Sequence, residues 1–417
     1  LAELVNAAGA NDITVEVRIT PIQTDISNNF SRYADYISDV KELQIKRNHT
    51  SFTTPARLFP LWENSTDPVL RTDNTGNLYL AWREQVNNNF QAFFCFSEDE
   101  GNTWSQVLNI SRSANNVSRV DMEIDGAGHF YMAWSEESNE FSEVYFSRSL
   151  DSGISWWNPH KLSLENENSK NPAIDVDARG NIFVAWTNFL PGGTIPEYDM
   201  LRLAASSDWG NSWQNRVLVE NGLVGGEPVL QAGENGNIYL ICGVVNDGLY
   251  IFYSTDYGNN WFVNQANLDL NFWVAKKPSL RIGQGDKLFL SWNIPPSGGH
   301  NNDYWIHFIR GMNKGVDWNE GQYIDHVCDT NGAKAAMALN GTQVNMLLHS
   351  GQSLFLLRSP DEGTTWSYPE FIPGTASSFG AVPLDMVTGD SGRIYLVYIQ
   401  KKDVALLTGN IYFMRTQ

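Results

Sequence analysis

The chain has 417 residues, with 47 acidic against 28 basic side chains and a formal net charge of −19 at pH 7. That balance excludes a nucleic-acid-binding surface, because phosphate contacts need a basic face, and it leaves a cation or a neutral glycan as the better-matched partner. Charged residues make up only 18% while 15 Trp, 16 Tyr and 21 Phe are present, a composition suited to many short, well-packed strands.

Residues 1–52 form an N-terminal extension outside the pattern that fills the rest of the chain. Residues 1–12 are small and polar. In Ile13-Thr14-Val15-Glu16-Val17-Arg18-Ile19-Thr20 apolar residues alternate strictly, which predicts a half-buried strand over 13–20. Phe30, Tyr33, Ile37, Val40 and Leu43 stand near helical spacing and predict a helix over 28–44, capped by Ser27 or Asn28. A lone strand needs a partner edge, on its own domain or on a neighbouring molecule. Residues 1–45 are therefore read as a means of forming a homo-oligomer or filament.

From about residue 67 a repeat takes over. Each unit opens with a short strand, such as Pro68 to Asp73 or Pro172 to Asp177, and turns at Gly-Asn pairs (Gly76-Asn77, Gly180-Asn181, Gly236-Asn237). A second strand follows as a near-continuous apolar run, for example Leu78-Tyr79-Leu80-Ala81-Trp82 or Ile182-Phe183-Val184-Ala185-Trp186. Such a run is expected where both faces of a strand are covered. Third strands such as Phe93 to Phe96 and Tyr250 to Tyr253 then lead into an octapeptide that recurs along the chain.

That octapeptide is S-x-D-x-G-x-[ST]-W. It is carried by Asp99 with Trp104, Asp151 with Trp156, Asp208 with Trp213, Asp256 with Trp261 (Asn260 at the penultimate position) and Asp361 with Trp366. A degenerate copy spans Gly311 to Trp318, with Asn313 in place of the Asp. Copies in register at a period of roughly 50 residues mark a repeat architecture. The aspartate is expected to lock a turn by accepting N–H groups two and three residues on. The glycine supplies positive φ, and the Trp opens the next strand and packs on a neighbouring unit.

These octapeptides resemble the Asp-box, or BNR repeat, of sialidase-like β-propellers. The resemblance covers about residues 55–417 and implies an all-β propeller of four-stranded antiparallel blades, with the boxes on the face opposite the active site. Counting second strands gives seven blades over residues 53–417. The last unit ends at a third strand, Ile411 to Thr416, and Thr53-Thr54-Pro55-Ala56-Arg57-Leu58 matches the stretch after a box. Pairing residues near 56–61 with the C-terminal strand would close the ring and remove its exposed edges.

On the face away from the boxes, residues before each first strand are expected to point to the axis: Asp67, Asp121, Asn171, Glu227, Lys277 and Lys334. Residues after each second strand join them, among them Arg83, Glu84, Glu136, Asn188, Asn293 and His349. Paired carboxylates there suit acid–base work on a glycoside, with Glu84, Glu136, Glu227, Asp67 and Asp121 as candidates. Arg83, Asn188, Lys277, Asn293, Lys334 and His349 are candidate ligand-binding groups. The competing reading is a hydrated channel whose polar groups satisfy one another. The acidic mouth suits a Ca²⁺ ion, but no ligand set is legible. The seven His are scattered, without zinc spacing. Long loops at 188–199 and 294–303 are further candidate binding elements.

The resemblance to sialidases implies an Arg-Ile-Pro segment on the first blade, three arginines that clamp the sugar carboxylate, a Tyr nucleophile with a Glu partner, an Asp acid and six blades. Here Thr66-Asp67-Pro68-Val69 occupies the first of these, with Asp67 where the arginine would stand. No apolar run reaches a membrane span, and no Lys/Arg-led signal stands at Leu1, as in a mature chain. Sequons at Asn48, Asn64, Asn109, Asn116 and Asn340 permit glycosylation. Cys95, Cys242 and Cys328 lie far apart, without a CxxC. The expectation is a secreted, non-catalytic propeller that binds a glycan or an extracellular protein or takes part in assembly, with no required cofactor. The alternative is a sialidase-like glycoside hydrolase or polysaccharide lyase.

Overall fold

The computed structural model describes residues 13–16, 42–45, 51–59, 63–73, 75–138, 141–165, 167–189, 199–222, 227–244, 248–265, 276–294, 305–319, 321–324, 335–350, 353–376, 381–402 and 408–417. Among them are strands, turns and three short 3-10 turns, with no α-helix. By contact the chain divides into residues 1–51 and 52–417.

In the first part, Ile13–Glu16 pairs antiparallel with Glu42–Ile45, Ile13 facing Ile45 and Glu16 facing Glu42. Residues 42–44, the end of the expected helix, are therefore strand. The alternation in Glu42-Leu43-Gln44-Ile45 is the local signal that the helical reading of Leu43 overrode. Residues 17–20 of the expected strand and 28–41 of the expected helix lie outside the described residues. The strand at 13–16 has found one partner edge within its own segment.

In the second part each sequence repeat folds as antiparallel strands; repeats 2 to 6 each form a sheet of their own, and repeats 1 and 7 share one eight-stranded sheet in which Ser65 faces Gly409. Repeat 1 consists of Ser65–Thr72, Leu78–Val86, Asn89–Ser97 and Leu108–Asn109; repeat 2 of Asn116–Ile124, Phe130–Glu137, Ser142–Ser149 and His160–Lys161. Repeats 3, 4 and 6 are likewise four-stranded, and repeat 5 adds a fifth short strand, Gln322–Ile324. In repeat 7 the strands Ala381–Thr388, Ile394–Lys401 and Gly409–Arg415 come from the C-terminus, and Ala56–Arg57 pairs with the last of them, Ala56 facing Phe413. The second strands are buried along nearly their whole length, with Trp82, Trp134, Trp186 and Trp292 at most 1% exposed.

The apolar core is divided between neighbouring sheets. One cluster joins Tyr79, Ala81 and Phe94 of repeat 1 to Met122, Phe130, Met132 and Trp134 of repeat 2. Corresponding clusters join each following pair. Another joins Leu70, Leu80, Trp82 and Cys95 of repeat 1 to Tyr395, Val397, Ile411 and Phe413 of repeat 7. Cys95 and Cys242 are buried free thiols acting as small hydrophobes. Burial pushes the Cys242 thiol up to about 12 and raises that of Cys95.

The octapeptides are locks built on an i, i+4 relation, not on the i+2 and i+3 contacts anticipated from sequence. Asp99 Oδ1 accepts the Thr103 amide at 2.8 Å and the Ser97 hydroxyl at 2.8 Å, while Oδ2 accepts the Thr103 hydroxyl at 2.6 Å. Ser97 Oγ in turn accepts the Gly101 amide at 2.8 Å. The residue between Asp and Gly is left-handed as well: Glu100 has φ 58 and Gly101 φ 85. Asp151, Asp208, Asp256 and Asp361 repeat the scheme. The Thr103 and Ser212 hydroxyls, with the amides of the same residues, hold the carboxyls of Asp99 and Asp208 down at about 2.

The box tryptophans pack on an aromatic of the preceding sheet. Trp156 meets Phe94 edge-on at 5.0 Å, Trp213 meets Phe146 at 4.8 Å and Trp366 meets Phe308 at 5.0 Å. Trp104 of repeat 1 meets Phe413 of repeat 7 at 5.7 Å. Arginines reach the same way. Arg148 donates to Asn211 at 3.0 Å, Arg216 to the Gly258 and Asn259 carbonyls at 2.9 and 2.6 Å, and Arg415 to Asn102 at 3.0 Å. Each box thus closes its own hairpin and is clasped by the repeat before it.

Candidate functional site

A second recurrent aspartate lies in the turn from first to second strand. Asp73 accepts the amides of Thr75 and Asn77 at 2.9 and 3.0 Å, the Asn77 side chain at 2.9 Å and the Tyr79 hydroxyl at 2.8 Å. Burial opposes its ionisation, but these donors outweigh burial and lower its pKa. Asp125 and Asp177 do the same work. Sequence reading found the Gly-Asn turns and missed these aspartates; their signal is D-x-x-G-[NH].

The carboxylates at the ends of the second strands are buried and hydrogen-bonded. Glu84 is 4% exposed and accepts the Ser65 hydroxyl and, at 3.1 Å, the Asn64 amide. Burial raises its pKa, with those hydrogen bonds acting in opposition. Glu136, also 4% exposed, accepts the Trp134 indole N–H at 2.8 Å and the Ser113 hydroxyl at 2.6 Å. Asn188 occupies the same place in repeat 3, accepting Trp186 at 2.9 Å and Ser169 at 2.7 Å and donating to Glu167. These three side chains tie a buried tryptophan or a first strand to its sheet.

The first strands carry the charge. Arg83 binds Asp67 and donates to the Val117 carbonyl at 2.8 Å. Arg119 donates to Glu227 at 2.7 Å. Asp121 lies further along its strand than Asp67: it faces Ala133 beyond the bulge, the place Val69 holds opposite Ala81, whereas Asp67 lies within its bulge. Asp121 Oδ2 accepts the Ile174 amide of repeat 3 at 3.1 Å, and Arg71 stands 3.5 Å from its Oδ1.

Deeper in this layer Arg71 donates to Glu123 at 2.7 Å and to Asp385 at 3.0 Å. Asp385 also accepts the Leu70 amide at 3.1 Å and faces Arg281 of repeat 5 at 3.4 Å. Burial disfavours the charge on Arg71, yet Glu123, Asp385 and Asp121 outweigh it and raise its pKa. Asp175 is 6% exposed; burial and the Glu123 charge raise its pKa well above the usual carboxylate range. It accepts the Ala232 amide at 3.0 Å and Gln231 at 3.1 Å. Sequence reading missed Glu123, Asp175, Arg281 and Asp385. Their signal is a polar residue at alternate positions of a first strand, as in Asp121-x-Glu123 and Ser279-x-Arg281.

Other candidates divide as follows. His349 is half-buried on its second strand. Lys277 and Asn293 lie on the strands Lys276–Gly283 and Lys287–Ile294. Lys334, most of both long loops and the sequon at Asn48 lie outside the described residues. Asn116 accepts the Phe90 amide at 2.9 Å and donates to Glu137 at 3.1 Å, so both ends of its amide are engaged. Asn109 accepts the Arg112 amide at 2.9 Å. Asn64 is partly buried, and Asn340 is exposed. Among the described residues no group of three or more His, Cys, Asp or Glu is placed to hold a metal ion, and no helix is long and apolar enough to cross a membrane.

One open groove of about 820 Å³ lies at the rim where repeats 1 and 2 meet. Asn89, Asn115, Phe141, Glu143, Lys161 and Glu165 line it, with Glu137 and Asn116 at its wall. Lys161 bonds Glu143 at 2.8 Å, and Lys170 bonds Glu137 at 3.0 Å. Asn89 is held by the Ala114 carbonyl at 2.7 Å.

Residues 48–240 match a family described as a BNR repeat-like domain. No curated protein matches the chain. Among solved structures, the NanB sialidase of Streptococcus pneumoniae is similar at 12% identity and a TM-score of 0.50, over 90% of this chain and 71% of that one. Trypanosoma rangeli sialidase matches at 13% identity and a TM-score of 0.48, over 85% of this chain, which spans only 55% of that protein. A Dyadobacter fermentans protein of unknown function matches at 13% identity and a TM-score of 0.49, over 89% of this chain and 98% of that one. Residues 48–240 thus match the BNR-repeat family, and the octapeptide that resembles the Asp-box recurs beyond them as far as Trp366.

Proposed function

We propose that this chain is a secreted, non-catalytic binding module built as a closed ring of seven blades, with a glycan as its ligand. The ring is supported by hydrophobic clusters that run from each repeat to the next and from repeat 7 to repeat 1, and by the pairing of Ala56–Arg57 with the C-terminal strand. The non-catalytic reading rests on one observation. Each of the five candidate carboxylates is committed to a protein partner: Glu84 to Ser65, Glu136 to Trp134, Glu227 to Arg119, Asp67 to Arg83 and Asp121 to Ile174. The arginines of the first strands face carboxylates, which would compete with a sugar acid for them. The reading needs no cofactor. The N-terminal strand already has a partner at 42–45, so the ligand site is sought on the propeller and not in strand donation to a neighbour.

A glycosidase remains the second reading because Glu84 is a buried carboxyl with a raised pKa, a property of general acids. A panel of chromogenic glycosides and a glycan array separate the two. Binding without turnover supports the module. Turnover that disappears in Glu84→Gln, with the fold retained, refutes it.

A further inference from the structure

The rim groove between repeats 1 and 2 differs in kind from the layer of first-strand charges. Its volume of about 820 Å³ lies within the range of small-molecule sites. Asn89, Asn116, Glu137, Glu143 and Lys161 stand on strands and Asn115, Phe141 and Glu165 on the turns between them, and two of the carboxylates are already oriented. Glu143 is fixed by Lys161 and by the Tyr145 hydroxyl at 2.7 Å; Glu137 is fixed by Lys170 and Asn116. Held in this way, the groups lose little conformational freedom when a ligand arrives.

The lining also has a definite chemistry. Amides at Asn89 and Asn115 both donate and accept, and the carboxylates of Glu143 and Glu165 accept. Phe141 supplies a ring at the turn where Ser138 accepts its amide at 3.1 Å. A ligand with many hydroxyls on a ring that has one C–H face matches this combination of acceptors, donors and an aromatic surface. Glu143 is balanced by Lys161 and Glu137 by Lys170, which leaves Glu165 as the excess negative charge of the lining. An anionic sugar would meet like charge there.

From these features we infer that the groove lined by Asn89, Asn115, Phe141, Glu143 and Glu165 binds an uncharged oligosaccharide and rejects acidic ones. This inference rests on the reading of the chain as a glycan-binding module and gives that module its site and ligand class.

The test uses the whole chain on an array of neutral, amino-bearing and acidic glycans, with calorimetry on the hits. Phe141→Ala should weaken neutral-glycan binding at least tenfold. Glu165→Arg alters an exposed residue and should raise the response to acidic glycans relative to neutral ones. Tyr368→Ala, remote from the groove, should change nothing. Melting curves confirm that each variant is folded. If wild type binds neutral glycans and neither groove variant alters affinity, the groove is the wrong site while the binding module stands. If wild type binds only acidic glycans or only amino-bearing ones, the ligand class is wrong. If wild type binds no glycan at all, the functional reading and this inference fall together.

Discussion

Gly153 offers a measurable test of the wedge that joins one repeat to the next. Its φ is +84, and a Cβ built there would lie 2.6 Å from Phe94 Cε1 and 2.9 Å from Cζ. Carbon atoms prefer about 3.5–4.0 Å. Phe94 is fully buried and is held between Phe130 at 5.4 Å and Trp156 at 5.0 Å, so it has no room to retreat. Gly153→Ala should therefore carry two costs: about 1–2 kcal/mol for a left-handed alanine and about 1–3 kcal/mol for overpacking. Gly76 has a similar φ, +87, with nothing within 4 Å of the added Cβ, so Gly76→Ala should carry only the first. Urea denaturation followed by tryptophan fluorescence should place Gly153→Ala about 1–3 kcal/mol below Gly76→Ala. Adding Phe94→Leu to Gly153→Ala should recover part of that difference through a non-additive coupling. Equal destabilisation by the two alanines would refute the wedge.

Asp385 joins Arg71, Arg281 and the Leu70 amide; Asp385→Ala should cost about 3–5 kcal/mol, as for removing one partner of a buried charge pair, and leave glycan affinity unchanged. A fall in affinity with intact stability would mean that the first-strand charges form the binding site. Burial lowers the His307 pKa to about 4 from an ordinary 6.5. The unfolded chain therefore takes a proton first as pH falls. This residue's contribution is complete above 6.5 and is lost between 6.5 and 4, so His307→Phe should flatten the stability–pH curve in that window. The carboxyls of Asp99 and Asp208, held at about 2, act at lower pH; their contribution is present above the usual aspartate value of about 3.9 and is lost as pH falls towards 2. Asp208→Asn should remove part of the acid sensitivity there, and an unchanged acid transition would refute the claim. Finally, Cys95 and Cys242 are buried thiols, so in Cys328→Ser no thiol should react with an aromatic disulfide reagent until denaturant is added.

The amino-acid sequence by itself determined the hairpins and hence the architecture. The octapeptides could be read because their information is local: Asp99 and Thr103 are four residues apart, and no distant group is needed to place them. The second strands were legible for a related reason, since a run such as Leu78 to Trp82 is apolar on both faces wherever it lies. The direction of each polar side chain was not legible. Bulges between Thr66 and Val69, Val117 and Arg119, and Lys170 and Ala173 shift first-strand registers, and a one-residue slip exchanges the two faces of a strand. Asp67 lies inside its bulge and Asp121 beyond its own, so the two do not hold equivalent places. Burial of Glu84 and Glu136 against Ser65 and Trp134 was equally hidden, because those bonds depend on strands paired across a sheet. The bond from Arg71 to Asp385 joins residues 314 positions apart, and only tertiary structure brings such residues together.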